Sequence, residues 1–252
     1  MDLTRRTLVK VPEVTALFWV TKLLTTAMGE STSDYLVKAI DPVVAVALGT
    51  LVLAGVLAFQ IGRDRYIPWV YWLAVLTVAI VGTMAADVLH KQFGVPYVIS
   101  SSLFAVVLTA VFIAWHRVEG TLSIHSVTTT RRELFYWAAV MATFALGTAL
   151  GDYTANTLGL GYLPSAVLFA GLMLVPAVGY RFLHLNAVLA FWTAYVLTRP
   201  LGASIADWLG KAKDVSGLGL GDGTASIVFA VLIVGCVAVL TRRWKQSPLP
   251  AG

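Results

Sequence analysis

The chain has 252 residues, of which 58% are hydrophobic and only 12% charged, with a formal net charge of +5 and a mean hydropathy of +0.82. A soluble domain of this length does not carry so much apolar surface. The basic residues form no helix with interleaved aromatics that would bind nucleic acid. The single cysteine, Cys236, excludes an intrachain disulfide and a cysteine-based metal cluster and reads as a small packing residue.

Apolar stretches of about 20 residues can cross a bilayer as helices. Eight are predicted, at about 13–39, 42–61, 67–91, 95–116, 131–157, 162–182, 186–210 and 223–243. The segment before the first has basic residues but no apolar core with a cleavage site, so no removable signal peptide is expected. Pro12, Pro42, Pro68, Pro96 and Pro164 fall near helix starts, where proline is tolerated. The even helices read as plain apolar spans. Of the basic residues at the span ends, twelve fall on one side and four (Lys38, Lys91, Lys211, Lys213) on the other. That asymmetry predicts both termini in the cytoplasm. The expected protein is all-α and multi-pass, a single transmembrane domain in the inner (plasma) membrane, with the lipid bilayer as a partner. The polar connection "RVEGTLSIHSVTTTRRE" separates two four-helix halves and reads as a cytoplasmic linker.

The odd helices repeat. Trp19, Trp72, Trp137 and Trp192 are each followed ten residues later by Gly29, Gly82, Gly147 and Gly202. Five residues further come Asp34, Asp87, Asp152 and Asp207. Three copies continue as D-x-L-x-K, whereas the third reads "DYTAN". Each repeat is thus a two-helix hairpin, at about 11–66, 67–118, 131–184 and 185–243, and all four run in the same direction. At 1.5 Å per residue the aspartates lie about 22 Å along the helix from their tryptophans. Trp19, Lys22, Thr26, Glu30 and Asp34 share one stripe of the first helix, as do Trp192, Tyr195, Arg199, Ala203 and Asp207 of the seventh. Such stripes face a bundle interior rather than lipid.

This organisation resembles a family of bacterial integral membrane proteins built from four tandem two-helix repeats, each with a characteristic tryptophan and with no assigned function. The resemblance runs from about Val11 to Arg243, with "GESTSDYL" and "GDYTAN" as its most specific stretches. It implies repeat architecture and membrane location, and no reaction.

Intramembrane carboxylates mark ion pathways, so Glu30, Asp34, Asp87, Asp152 and Asp207 are the expected proton or cation site. The bland alternative is that each carboxylate bonds a neighbouring helix through Ser33, Tyr35, Tyr153 or Asn156. Glu30 and Asp34, four residues apart, are the candidate metal pair. Lys22 and Arg199 are the expected counter-ions, which leaves a formal surplus of three negatives. The tryptophans read as interfacial anchors, and the repeat glycines as points of close helix packing. His90, His116, His125 and His184 show no metal-ligand spacing. The pattern Gly219-Leu220-Gly221-Asp222 resembles that of intramembrane aspartyl proteases, but in so glycine-rich a loop it reads as a turn. No catalytic arrangement or cofactor is expected. The sequence reading is a transporter that exports or exchanges a hard cation, coupled to protons. A cation channel with a carboxylate ring, an intramembrane protease and a non-transporting scaffold are the alternatives.

Overall fold

A computed structural model describes residues 9–246. Among these residues there are eight long helices and no strand. They are α1 (Ala16–Ala39), α2 (Pro42–Ile61), α3 (Pro68–Asp87), α4 (Tyr97–Glu119), α5 (Thr130–Asp152), α6 (Tyr162–Phe182), α7 (Ala187–Gly210) and α8 (Asp222–Gln246). Local chemistry sets the starts. The Thr15 hydroxyl accepts from Phe18 N, Asp41 caps α2 ahead of Pro42, Thr129 caps α5 and Asn186 caps α7. Past Asp87 and Asp152, α3 and α5 widen into single π-helical turns, Val88–Gln92 and Tyr153–Thr157.

All except α1 are long and apolar enough to cross a membrane. The exception follows from composition. Lys22, Glu30, Asp34 and Lys38 interrupt α1, and the first three of these are buried by protein.

The odd helices form a closed ring, α1–α3–α5–α7 and back to α1. The even helices lie outside it with most of their surface uncovered. Each even helix packs mainly on the odd helix that follows it: α2 on α3, α4 on α5, α6 on α7. The last, α8, packs on the first, α1, and completes the circle.

The repeat glycines explain the ring. A methyl group placed on Gly29 would lie within 3.0 Å of Ala79; on Gly82, of Phe144; on Gly147, of Arg199; on Gly202, of Thr26. Each partner stands seven residues after the tryptophan of the next helix in the ring. One contact is therefore made four times, and the backbones meet where only hydrogen fits.

The tryptophans correct an expectation. Trp72, Trp137 and Trp192 are buried and Trp19 is half-buried, so they line the interior of one end of the ring instead of anchoring it in lipid headgroups. Each meets the aromatic residue that precedes it, Phe18, Tyr71, Tyr136 or Phe191, edge to face. Tyr71 and Tyr136 also share a hydroxyl–hydroxyl hydrogen bond. The α4–α5 linker folds back over this end. Ile124 and Val127 are buried, and Trp192 Nε1 donates to Leu122 O at 2.9 Å.

The contact at Gly29 yields a test. Gly29→Ala should destabilise the protein by about 1–3 kcal/mol, because the clash is with Ala79 and its backbone, which cannot swing away. Gly55→Ala, on a helix face with open space around it, should be neutral or slightly stabilising. Unfolding midpoints of the two purified variants check this, and equal midpoints would remove the close-packing account.

Candidate functional site

The residue after each repeat glycine points into the ring. These residues are Glu30, Thr83, Thr148 and Ala203. The first three are buried and converge on Arg199, which is fully buried on α7. Arg199 Nη2 donates to Glu30 Oε2 at 2.7 Å and to Thr148 Oγ1 at 2.5 Å, and it also reaches Thr83 Oγ1. Its Nη1 faces Thr26 O at 3.5 Å. All four ring helices therefore meet at one guanidinium. A fixed fork of donors suits this task better than an ammonium would.

Lys22 does not behave as expected. Its Nζ lies within ion-pair distance of no carboxylate among the described residues. It donates to Thr26 Oγ1 at 3.2 Å and sits 4.1 Å and 4.3 Å from the ring centres of Phe144 and Tyr195. Its neighbours are π faces and a hydroxyl, so of the two expected counter-ions Arg199 is ion-paired with a carboxylate and Lys22 is not.

Beyond Glu30 the ring opens into a cavity of about 180 Å³. It is lined by Glu30, all four repeat aspartates and residues at the turns from odd to even helices. One turn after each aspartate comes Lys38, Lys91, Asn156 or Lys211. Lys91 Nζ bonds Asp87 at 2.9 Å and approaches Asp34 at 3.5 Å. Lys211 Nζ pairs with Asp34 and lies 3.4 Å from Asp207. Lys211 stands just past α7. Burial disfavours its ammonium, but the carboxylates of Asp207 and Asp34 outweigh that and hold its pKa above the ordinary lysine value. It therefore stays charged throughout the neutral range. Asp152 accepts from Asn156 Nδ2 at 3.3 Å and has no cationic partner within 4.0 Å among the described residues. Of the four neighbours considered for the aspartates, Asn156 is the one that bonds one of them.

The charge balance changes accordingly. Five carboxylates face Arg199, Lys91 and Lys211, so the formal surplus is two negatives instead of three. Lys91 and Lys211 read in sequence as residues at the ends of spans, yet both reach back into the site. Carboxylate oxygens of Glu30, Asp34 and Asp207 all lie within 4.8 Å of one another, and Arg199 and Lys211 between them pair with all three. Asp207 thus joins the expected metal pair of Glu30 and Asp34. Asp222 is not a free loop residue: it opens α8, and its carboxylate accepts from Lys38 Nζ at 2.5 Å.

Several residues escaped the sequence reading. Tyr97 and Tyr162 line the cavity, each ten residues after an aspartate, a spacing that could have revealed them. The aromatic doublet at each repeat tryptophan is equally regular. At the aromatic end, Glu133 is buried and takes Lys10 Nζ at 2.7 Å and Gln60 Nε2 at 2.9 Å. Nothing repeats at those three positions, so no pattern pointed to them.

A family model described as "Repeat of Unknown Function (DUF347)" matches residues 17–66, 70–121, 135–184 and 190–246. Its four matches span most of the chain, one per odd–even helix pair. The chain belongs to this repeat family. No curated protein and no solved structure matches it. The family description carries no activity, so the chemistry of the site rests on its geometry.

The Arg199 centre is testable through stability. Arg199→Met leaves Glu30 buried without its partner and should cost about 3–5 kcal/mol. Adding Glu30→Gln to that variant should recover a large part of the loss, because the stranded charge is gone. Denaturant unfolding of wild type, both single variants and the double variant measures the coupling. A zero coupling energy would mean that the pair is incidental.

Proposed function

We propose that the protein is a transporter that exchanges a small hard cation for protons through the carboxylate cavity. The observation that carries this reading is the convergence of five carboxylates on one cavity that is open at its rim, past the exposed Lys91 and Asn156. Two formal negative charges at this site call for a cation or for protons, and exchange between the two is the elementary step of coupled transport. The ligands offered are all oxygen, which suits magnesium or manganese better than copper or zinc.

Within this reading, Lys91 and Lys211 act as tethered stand-ins for the transported ion. They neutralise Asp34, Asp87 and Asp207 in the empty site and swing out when a cation enters. Glu30 is the innermost carboxylate and exchanges Arg199 for the cation or for a proton. The buried layer of Tyr71, Trp72, Tyr136, Trp137 and Trp192 fills the other end of the ring. That layer favours a carrier that alternates between faces over a continuously open channel. The Gly-x-Gly-Asp loop has no part in the chemistry, since Asp222 serves Lys38 and the start of α8.

The membrane arrangement belongs to the same proposal. All eight helices cross the bilayer, α1 as the most polar member of the ring. The cavity opens away from the cytoplasm and both termini lie in it, in line with the basic residues at the aromatic end. The membrane is the inner membrane of a bacterial cell.

Flux in proteoliposomes with an imposed pH gradient tests the proposal against a panel of divalent and monovalent cations. Glu30→Gln keeps the shape and loses the charge. It should lower coupled flux more than about tenfold, a loss of roughly 1.4 kcal/mol or more, and change the pH profile. Asp214→Asn, an exposed loop position on the same side, should leave both unchanged. Wild-type flux and pH profile in folded Glu30→Gln protein would rule out this site.

A further inference from the structure

Residues 9–14, ahead of α1, form no helix, yet they are not free. Lys10 and Val11 are both buried, Val11 in the cluster that holds Trp72, Trp137 and Trp192. Lys10 N donates to Val127 O at 3.0 Å, in the linker, and Val9 O accepts from Tyr66 N at 3.2 Å, in the α2–α3 loop. Lys10 Nζ bonds Ile61 O at 2.9 Å, at the end of α2, and Glu133 Oε2 at 2.7 Å, at the start of α5. Glu133 Oε1 also takes Gln60 Nε2 at 2.9 Å and Trp137 Nε1 at 3.4 Å. One short segment is thus laced to two loops and two helices, all at the aromatic end of the ring.

We infer that this segment is the inner gate of the protein, a strap latched by the Lys10–Glu133 ion pair. The strap can leave without breaking any helical hydrogen bond, because it has none. The ion pair is a suitable catch. A buried pair is expensive to form, and its removal from one side is strongly destabilising to the closed form alone. The network is also incomplete, since Gln60 Oε1 has no partner among the described residues, and the cost of that unpaired buried atom weakens the closed form. Glu133 takes Trp137 Nε1 on one carboxylate oxygen and Lys10 Nζ on the other, so one side chain joins the catch to a member of the aromatic layer beneath it. The purpose assigned to the gate rests on the transport reading. The latch itself does not, and its test reads access to the ring instead of flux.

The test uses full-length protein in vesicles of uniform orientation, with Cys236→Ser and a reporter cysteine at Val140, which is buried inside the ring. A membrane-impermeant thiol reagent is applied to the strap side or to the cavity side. With the latch intact, labelling from the strap side should be slow. Lys10→Met should speed it at least about tenfold and leave labelling from the cavity side unchanged. Glu133→Gln, which keeps the shape and an acceptor, should do the same and serves if Lys10→Met does not fold, as judged by size-exclusion profile. Unchanged strap-side labelling in the folded variants would overturn the gate. So would an equal rise from both sides, which reports general loosening. Each of these outcomes holds even if no cation is found to move.

Discussion

Four close approaches of helix backbones hold this molecule together. At Gly29, Gly82, Gly147 and Gly202 a ring helix comes so near the next that a single carbon would not fit. In a membrane, apolar side chains gain little by leaving lipid for one another, and close van der Waals contact has to supply the cohesion. The next residue in each helix is then turned inward, which gathers Glu30, Thr83 and Thr148 around Arg199. Arg199 is itself the residue that meets Gly147. Packing and charge are settled at the same position.

Much of this was legible in the sequence, because a repeat shows up as spacing. The tryptophan, glycine and aspartate intervals marked the ring helices, the common depth of the aspartates and the inward stripe. They could not say what a recurring tryptophan was for, since an interfacial belt and an interior layer need the same residue at the same depth. The difference lies in what covers it, and the covers, Val11, Ile124 and Val127, lie outside the four matches to the repeat family. The lysines after the aspartates were misplaced for a related reason. A span boundary drawn from hydropathy treats a lysine as its end, whereas a four-carbon side chain can turn back by a helical turn or more.

Departures from the repeat are as informative as the repeat. Glu30 and Arg199 each break the pattern once, on helices adjacent in the ring, and they find each other. Asn156 replaces a lysine once, and Asp152 is left with an amide instead of an ammonium. Near-symmetry supplies four equivalent places, and single substitutions make those places chemically unlike.

The pairing of α8 with α1 means that the order of manufacture differs from the order of assembly. Helices emerge from the ribosome one after another, and α2 to α7 can each dock on a neighbour soon after it is made. The earliest of the eight, with Lys22, Glu30 and Asp34 along its length, receives its outer partner only from the latest. Its polar stripe has neither Arg199 nor Lys211 to answer it until α7 is made, and its back has no cover until α8 follows. The burial of α1 is therefore complete only when the last hairpin has been made. A chain cut short by one hairpin would be a ring that cannot shut.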